Sequence, residues 1–150
     1  MKPLSELKIA ICSDHAGFEL KQKIIGYLKA KNVDEIEDFG AFSTESCDYP
    51  DYAHKIGEAI EGGELEMGII LCGTGNGMAI TVNKYPHIRA GLAWNEDVAK
   101  LISAHNKANI LVIPARFVTQ EELFKIIDAY LDTPFEAGRH LERINKISEK

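Results

Sequence analysis

Met67-Gly68-Ile69-Ile70-Leu71-Cys72-Gly73-Thr74-Gly75-Asn76-Gly77 runs from an apolar stretch directly into a glycine-rich turn. A short apolar run closed by such a turn fits a strand buried on both faces of a parallel sheet. Lys8-Ile9-Ala10-Ile11-Cys12 has the same form and is followed by Ser13-Asp14-His15. Between the two lie a helical pattern with Ala16, Leu20, Ile24 and Leu28 at intervals of four, a weaker strand at Glu35 to Phe39, and a helix from Tyr52 to Ile60. That order is βαβαβ. Further on, Ile88 to Ala93 and Asn109 to Ile113 read as strands, joined by a helix that Asn95 caps and that carries Val98, Leu101, Ile102 and His105 on one face. Thr119-Gln120-Glu121-Glu122 has the form of a capping box for the next helix, which Thr133-Pro134 ends. Leu141, Ile144 and Ile147, three apart, mark a last amphipathic helix at about 134–148, expected to pack on a partner subunit. Strands alternating with helices predict an α/β fold, a three-layer α/β/α Rossmann-like sandwich on a five-stranded parallel sheet, spanning residues 1–150 as a single domain.

Composition agrees with this and removes other classes. A chain of 150 residues suits one domain that buries roughly 70% of its unfolded surface. Apolar residues at 45% and charged residues at 27% exclude a disordered, collagen-like or disulfide-scaffold chain. No apolar run approaches the roughly 18 residues of a membrane span, and Glu6 and Lys8 interrupt the place of a signal peptide's apolar stretch. The expectation is a cytoplasmic protein with no membrane partner. Three cysteines, Cys12, Cys47 and Cys72, without a C-x-x-C pair, indicate neither a disulfide framework nor a zinc knuckle. A net charge of −6 argues against nucleic acid as a partner, because that affinity comes from neutralising many phosphates. A single small anion remains compatible.

In doubly wound sheets the ligand crevice lies beyond the carboxyl ends of the strands, where strand order reverses. Ser13-Asp14-His15 and the Gly73–Gly77 loop are the polar segments that fall there. The glycine loop fails the dinucleotide fingerprint, which needs glycine where Met78 stands, and it lacks the Gly-Lys of a Walker A loop. A C-x5-R phosphatase loop fails as well, since Met78 and Phe18 occupy the positions an arginine would need. What survives is the Cys72 thiol followed by backbone N–H groups at a helix start, which lowers a thiol pKa and holds a nearby oxyanion. An inert buried cysteine is the plain alternative, but three alternating glycines make sense where the backbone must approach something closely.

Other residues have two readings each. Asp14 reads as a helix N-cap and His15 as a surface residue, or together as proton-transfer and hydrogen-bonding groups opposite the thiol. By periodicity alone His105 is a core histidine. Asp48, Asp51 and His54 imitate metal ligands, but their spacing is that of a solvated helix start, and no metal is inferred. Arg139 and Arg143, two of four arginines, share one helical face, which suits either a phosphate or ion pairs with Glu136 and Glu142.

Cys12-Ser13-Asp14-His15-Ala16-Gly17-Phe18, Asp48-Tyr49-Pro50, Cys72-Gly73-Thr74-Gly75-Asn76-Gly77, Asn83-Lys84, Ile88-Arg89-Ala90, His105-Asn106 and Gly138-Arg139-His140-x-x-Arg143 closely resemble the type B ribose-5-phosphate isomerases, in the family that includes galactose-6-phosphate isomerase. The resemblance runs from the first strand to the last helix. It implies interconversion of ribose 5-phosphate and ribulose 5-phosphate through an enediolate, in the non-oxidative pentose phosphate pathway, with neither metal nor organic cofactor. It also implies Cys72 as the base, the loop Gly73, Thr74, Gly75, Asn76 and Gly77 around the reacting oxygen, and Thr74 as an aid to proton movement. His105 then opens the furanose ring, while Asp14 and Asn106 bind hydroxyls and Tyr49 lines the sugar pocket. His15, Arg116, Arg139 and Arg143 hold the phosphate. The chain departs from the common pattern at Asn76, at Lys107 and at Pro114-Ala115-Arg116.

The helix ending at His105 runs antiparallel to the strands, so His105 is expected at the sheet edge opposite Cys72. A catalytic His105 therefore implies a homodimer with shared sites, or a tetramer built from one. Two rivals remain: an isomerase of a six-carbon phosphate such as galactose 6-phosphate or allose 6-phosphate, and a non-catalytic sugar-phosphate or nucleotide-binding module.

Overall fold

The strands are β1 (Lys8–Ser13), β2 (Glu35–Asp38), β3 (Met67–Cys72), β4 (Ala90–Leu92) and β5 (Ile110–Pro114). The helices are α1 (Phe18–Ala30), α2 (Tyr49–Glu61), α3 (Asn76–Val82), α4 (Glu96–Ala104), α5 (Gln120–Asp132) and α6 (Arg139–Ile147). These come from a computed structural model, which describes residues 1–149. All strand pairings are parallel, in the order β2-β1-β3-β5-β4. This is the expected five-stranded α/β/α sandwich.

Side-chain alternation divides the core into two layers, even in strands buried on both faces. Ile9, Ile11, Ile69, Leu71, Leu111 and Ile113 point toward α1, α4 and α5. Ala10, Cys12, Ile70, Cys72, Ile110 and Val112 point toward α2 and α3. Cys72 thus lies in the α2/α3 layer at the carboxyl end of β3, whereas α4 belongs to the other layer. β2, at one edge, alternates exposed charges with half-buried residues, and the three-residue β4 closes the other edge.

Caps account for several boundaries. Asp14 accepts from Gly17 N–H at 3.1 Å, and a short 3-10 turn, His15–Gly17, precedes α1. Asn95 accepts from Val98 N–H, and Thr119 from Glu122 N–H, as their spacing predicted. α2 begins three residues earlier than the apolar pattern suggested, because Pro50 is well suited to a first turn. The last helix is shorter than the expected span of about 134–148: residues 134–138 are not helical, and Ala137 and Gly138 both have φ of +57°.

The buried stripe of α1 is Lys21, Ile24 and Leu28, so a lysine stands where the spacing calls for an apolar residue. Lys21 is fully buried, and its Nζ donates to Asp38 Oδ1 at 2.6 Å and to Ala41 C=O at 2.7 Å. Asp38 Oδ1 also accepts from Gly40 N–H at 2.9 Å. Beyond β2, Ser13 N–H donates to Gly40 C=O and Ala41 N–H to Ser13 C=O, both at 2.7 Å. The lysine therefore fixes the strand that flanks the end of β1. Removing one partner of a buried pair strands the other charge, so Asp38→Ala is expected to cost about 3 kcal/mol. Lys21→Met removes the buried cation itself and is expected to cost clearly less. Urea midpoints measure both, and equal losses would contradict the role given to the pair.

Candidate active site

β1 and β3 are neighbours, paired Ser13 with Leu71, so their carboxyl ends open onto one crevice. There Asp14 N–H leaves β1 and donates to Leu71 C=O at 3.1 Å. Asp14 is buried, and its carboxylate lies near enough to oppose ionisation of Cys72. Cys72 is 4% exposed. The N–H groups of Met78, Gly75 and Gly77 lie near enough to the sulfur to favour thiolate, but burial outweighs them and pushes the thiol above its ordinary range. The expected lowering by the helix start is therefore present as a contribution and reversed as a net result.

The loop glycines have separate causes. Gly75 has φ of +78°, a left-handed turn that leads the chain into α3, and a Cβ there would overlap Leu92. At Gly77 a Cβ would overlap the Tyr49 ring, which lies against the loop. A Cβ on Gly73 would sit 3.2 Å from Arg116 Nη1, and Arg116 N–H donates to Gly73 C=O at 3.0 Å. Tyr49 and Arg116 are thus loop neighbours of Cys72, and Pro114-Ala115-Arg116 keeps the guanidinium there despite its unusual turn. Thr74, exposed, accepts from the N–H of Asn76 at 3.2 Å. His15 Nδ1 lies 3.3 Å from Cys47 N, which donates to it, and 3.8 Å from Cys47 Sγ. Cys47 therefore has His15 as its partner.

His105 is elsewhere. It caps the carboxyl end of α4, half-exposed, and its ring stacks on His140 with centroids 4.1 Å apart. This corrects the periodicity reading of a core histidine: α4 ends before the side chain can join the buried stripe. Asn106 follows in a turn whose carbonyls are held by Arg89, Nε on Asn106 C=O at 3.0 Å and Nη2 on Lys107 C=O at 2.9 Å. Cys72 pairs with Pro114, and β5 begins at Ile110, so about 13 Å of strand separates the two sheet edges. His105 and Cys72 also belong to opposite layers. One chain does not bring them together.

His105, Asn106, His140 and Arg143 line a cavity with Ile144 and Ile147. Arg139 and Arg143 form no ion pair among the described residues, so neither Glu136 nor Glu142 occupies them. Burial, and then the neighbouring His105 and Arg139, hold the His140 imidazole below its ordinary range. His140 is what the sequence reading missed: it stood between two arginines, but only the α6 fold turns it inward. Asp48, Asp51 and His54 form no cluster, and His54 instead pairs with Tyr85 Oη at 2.8 Å.

The parallel sandwich thus carries a buried thiol and its glycine loop at the switch point, with arginines and imidazoles at the far edge. Residues 9–147 match the ribose/galactose isomerase family. Ribose-5-phosphate isomerase B of Escherichia coli is 41% identical over 94% of each chain. The crystal structure of a ribose 5-phosphate isomerase from Thermotoga maritima superposes with a TM-score of 0.93 at 52% identity, covering 97% of this chain and 99% of that one. The Mycoplasma genitalium enzyme, solved with bound ribulose 5-phosphate, gives a TM-score of 0.90 at 38% identity, covering 95% and 94%. The chain belongs to the ribose/galactose isomerase family.

If Tyr49 is what forbids a side chain at position 77, Gly77→Ala should lose about 1–3 kcal/mol of stability through overpacking. Adding Tyr49→Ala should return most of that loss. A thermodynamic cycle measures the coupling, and simple additivity would refute the contact.

Proposed function

We propose that this protein interconverts ribose 5-phosphate and ribulose 5-phosphate through an enediolate, with Cys72 as the base and no metal or organic cofactor. The observation that carries the reading is the buried Cys72 thiol at the carboxyl end of β3, where the β1 and β3 ends open together, with the glycine-loop N–H groups and Asp14 near enough to act on its charge. A binding module has no use for a thiol so arranged. In the forward direction the thiolate takes the proton from C2 as the C1 carbonyl oxygen gains one. The proton is then returned to C1 as the O2 hydroxyl gives up its own and becomes the ketone. N–H groups of Gly73, Thr74, Gly75, Asn76 and Gly77 stabilise the developing oxyanion, and Thr74 relays protons beside it. Tyr49 lines the sugar pocket, Asp14 and Asn106 bind hydroxyls, and His105 opens the ring. His15, Arg116, Arg139 and Arg143 take the phosphate. A cytoplasmic setting, where thiols stay reduced, suits this base.

The site is proposed to be shared in a homodimer. The separation of Cys72 from His105 supports this, as does the exposure of Leu101 on α4 and of Leu141 and Ile147 on α6, a helix that buries only His140 in its own chain. His105 and Asn106, with Arg139 and Arg143 beside them, would then serve the partner's Cys72 loop and Arg116.

Turnover of ribose 5-phosphate by wild type in the presence of a chelator, lost by a factor of at least ~10² in Cys72→Ala, is the expected result. Full activity in the variant would remove the base, and turnover of only six-carbon phosphates would move the substrate within the family. Since burial raises the thiol's pKa, the reactive thiolate fraction grows with pH, and kcat/KM should climb through the range above neutrality. A profile flat there would contradict a thiolate base. Mixed dimers of Cys72→Ala and His105→Ala subunits should regain part of the activity, because one of their two sites keeps both groups. No recovery in verified mixed dimers would refute the shared site.

A further inference from the structure

His105 and Asn106 stand where α4 gives way to β5, and side chains from elsewhere in the fold hold the chain there. Arg89, just before β4, reaches across with Nε donating to Asn106 C=O at 3.0 Å and Nη2 to Lys107 C=O at 2.9 Å. Tyr130 Oη, from α5, donates to Ala108 C=O at 2.8 Å. Three successive carbonyls past the end of α4 thus each have a side-chain donor. The main chain of Arg89 is anchored in turn. Its N–H donates to Asn109 Oδ1 at 2.8 Å, its C=O accepts from Asn109 N–H at 3.0 Å, and Asn109 Nδ2 donates to His87 C=O at 2.8 Å.

The turn needs this support. Lys107 has φ of +45°, and a strained backbone of that kind persists only where its surroundings over-determine it. A guanidinium suits the task, because two N–H groups in one rigid fork reach two carbonyls and its charge lies at the negative end of α4. Arg89 is half-buried and forms no ion pair among the described residues, so its fork serves the turn alone. From the other side the His105 ring is set by its stack on His140 and by Glu136, whose Oε2 lies 3.6 Å from Nε2.

We infer that Arg89 is a positioning residue for ring opening: by clamping the 106–107 carbonyls it fixes the turn that presents the His105 imidazole and the Asn106 side chain to the sugar. The inference rests on the proposed roles of His105 and Asn106. Opening the furanose breaks the C1–O4 bond; O4 gains a proton, and the C1 hydroxyl loses one to become the aldehyde. An imidazole that moves either proton must stand within hydrogen-bonding reach of the sugar, and a misplacement of about 1 Å can cost on the order of 10²-fold.

Ribulose 5-phosphate separates this step from the chemistry at Cys72. Its 5-hydroxyl is esterified, so it has no furanose form, and its C1 hydrogen exchanges with solvent through the enediolate without any ring opening. In Arg89→Met and Arg89→Lys, kcat for ribose 5-phosphate should fall about tenfold or more, while deuterium uptake at C1 of ribulose 5-phosphate in deuterium oxide stays within about twofold of wild type. His105→Ala should show the same split. Arg89→Lys keeps the charge and loses the fork, and it carries the test if Arg89→Met fails to fold. Parallel loss of conversion and exchange in folded variants would make Arg89 merely structural and overturn the inference. Unchanged conversion in both Arg89 variants, with conversion lost in His105→Ala, would overturn it and leave the proposed reaction standing. Full conversion by His105→Ala would remove the ring-opening role and the inference with it. Exchange absent from wild type, or undiminished in Cys72→Ala, would instead remove the proposed reaction at its base.

Discussion

Ser13 pairs with Leu71, and one residue later Asp14 N–H makes the last contact between β1 and β3 before the strands part. Everything at the crevice follows from that divergence. The Asp14 carboxylate is left beside Cys72, the His15 ring turns toward Cys47, and the Gly73–Gly77 loop is free to fold back over the sulfur. The same constraint explains the buried charge beneath it. Lys21 gathers Asp38 and Ala41 C=O, and residues 40–41 in turn hydrogen-bond to Ser13, so the end of β1 cannot drift away from β3.

Two opposed effects act on the thiol. Burial and the Asp14 carboxylate favour the neutral sulfur, while three backbone N–H groups favour the charged one, and burial prevails in the protein alone. A base held above its ordinary pKa is less populated but stronger once ionised, which suits removal of a proton from carbon. In the proposed reaction the N–H groups would serve the oxyanion at no further cost of reorganisation, since the backbone already holds them in place. On that proposal the chemistry falls to a loop of very small residues and substrate anchoring to long side chains.

Much of this was legible in the sequence because parallel strands announce themselves as apolar runs ending in polar turns. β1, β3, the N-caps Asn95 and Thr119, and the crevice pair of Asp14 and Cys72 all follow from that reading. Three features did not, each because a tertiary contact decides it. Lys21 sits on an apolar stripe, a visible anomaly, yet its partner Asp38 is known only once β2 lies beside β1. His105 completes a helical face on paper, but α4 ends before it and α6 supplies the ring that stacks on it. Residues 134–138 lack helical structure because the chain turns through positive φ at Ala137 and Gly138 before α6 begins. The net thiol pKa is not legible in the sequence for a related reason: the N–H groups are local and readable, whereas desolvation depends on the whole α2/α3 layer.

The central claim is that Cys72 removes the hydrogen at C2. Ribose 5-phosphate carrying deuterium at C2 tests it directly, with loss of the label to water followed alongside binding of the sugar phosphate. Wild type should release deuterium, and Cys72→Ala should bind the sugar phosphate yet retain the label. Release from the variant at the wild-type rate would assign the proton transfer to another group and contradict the account.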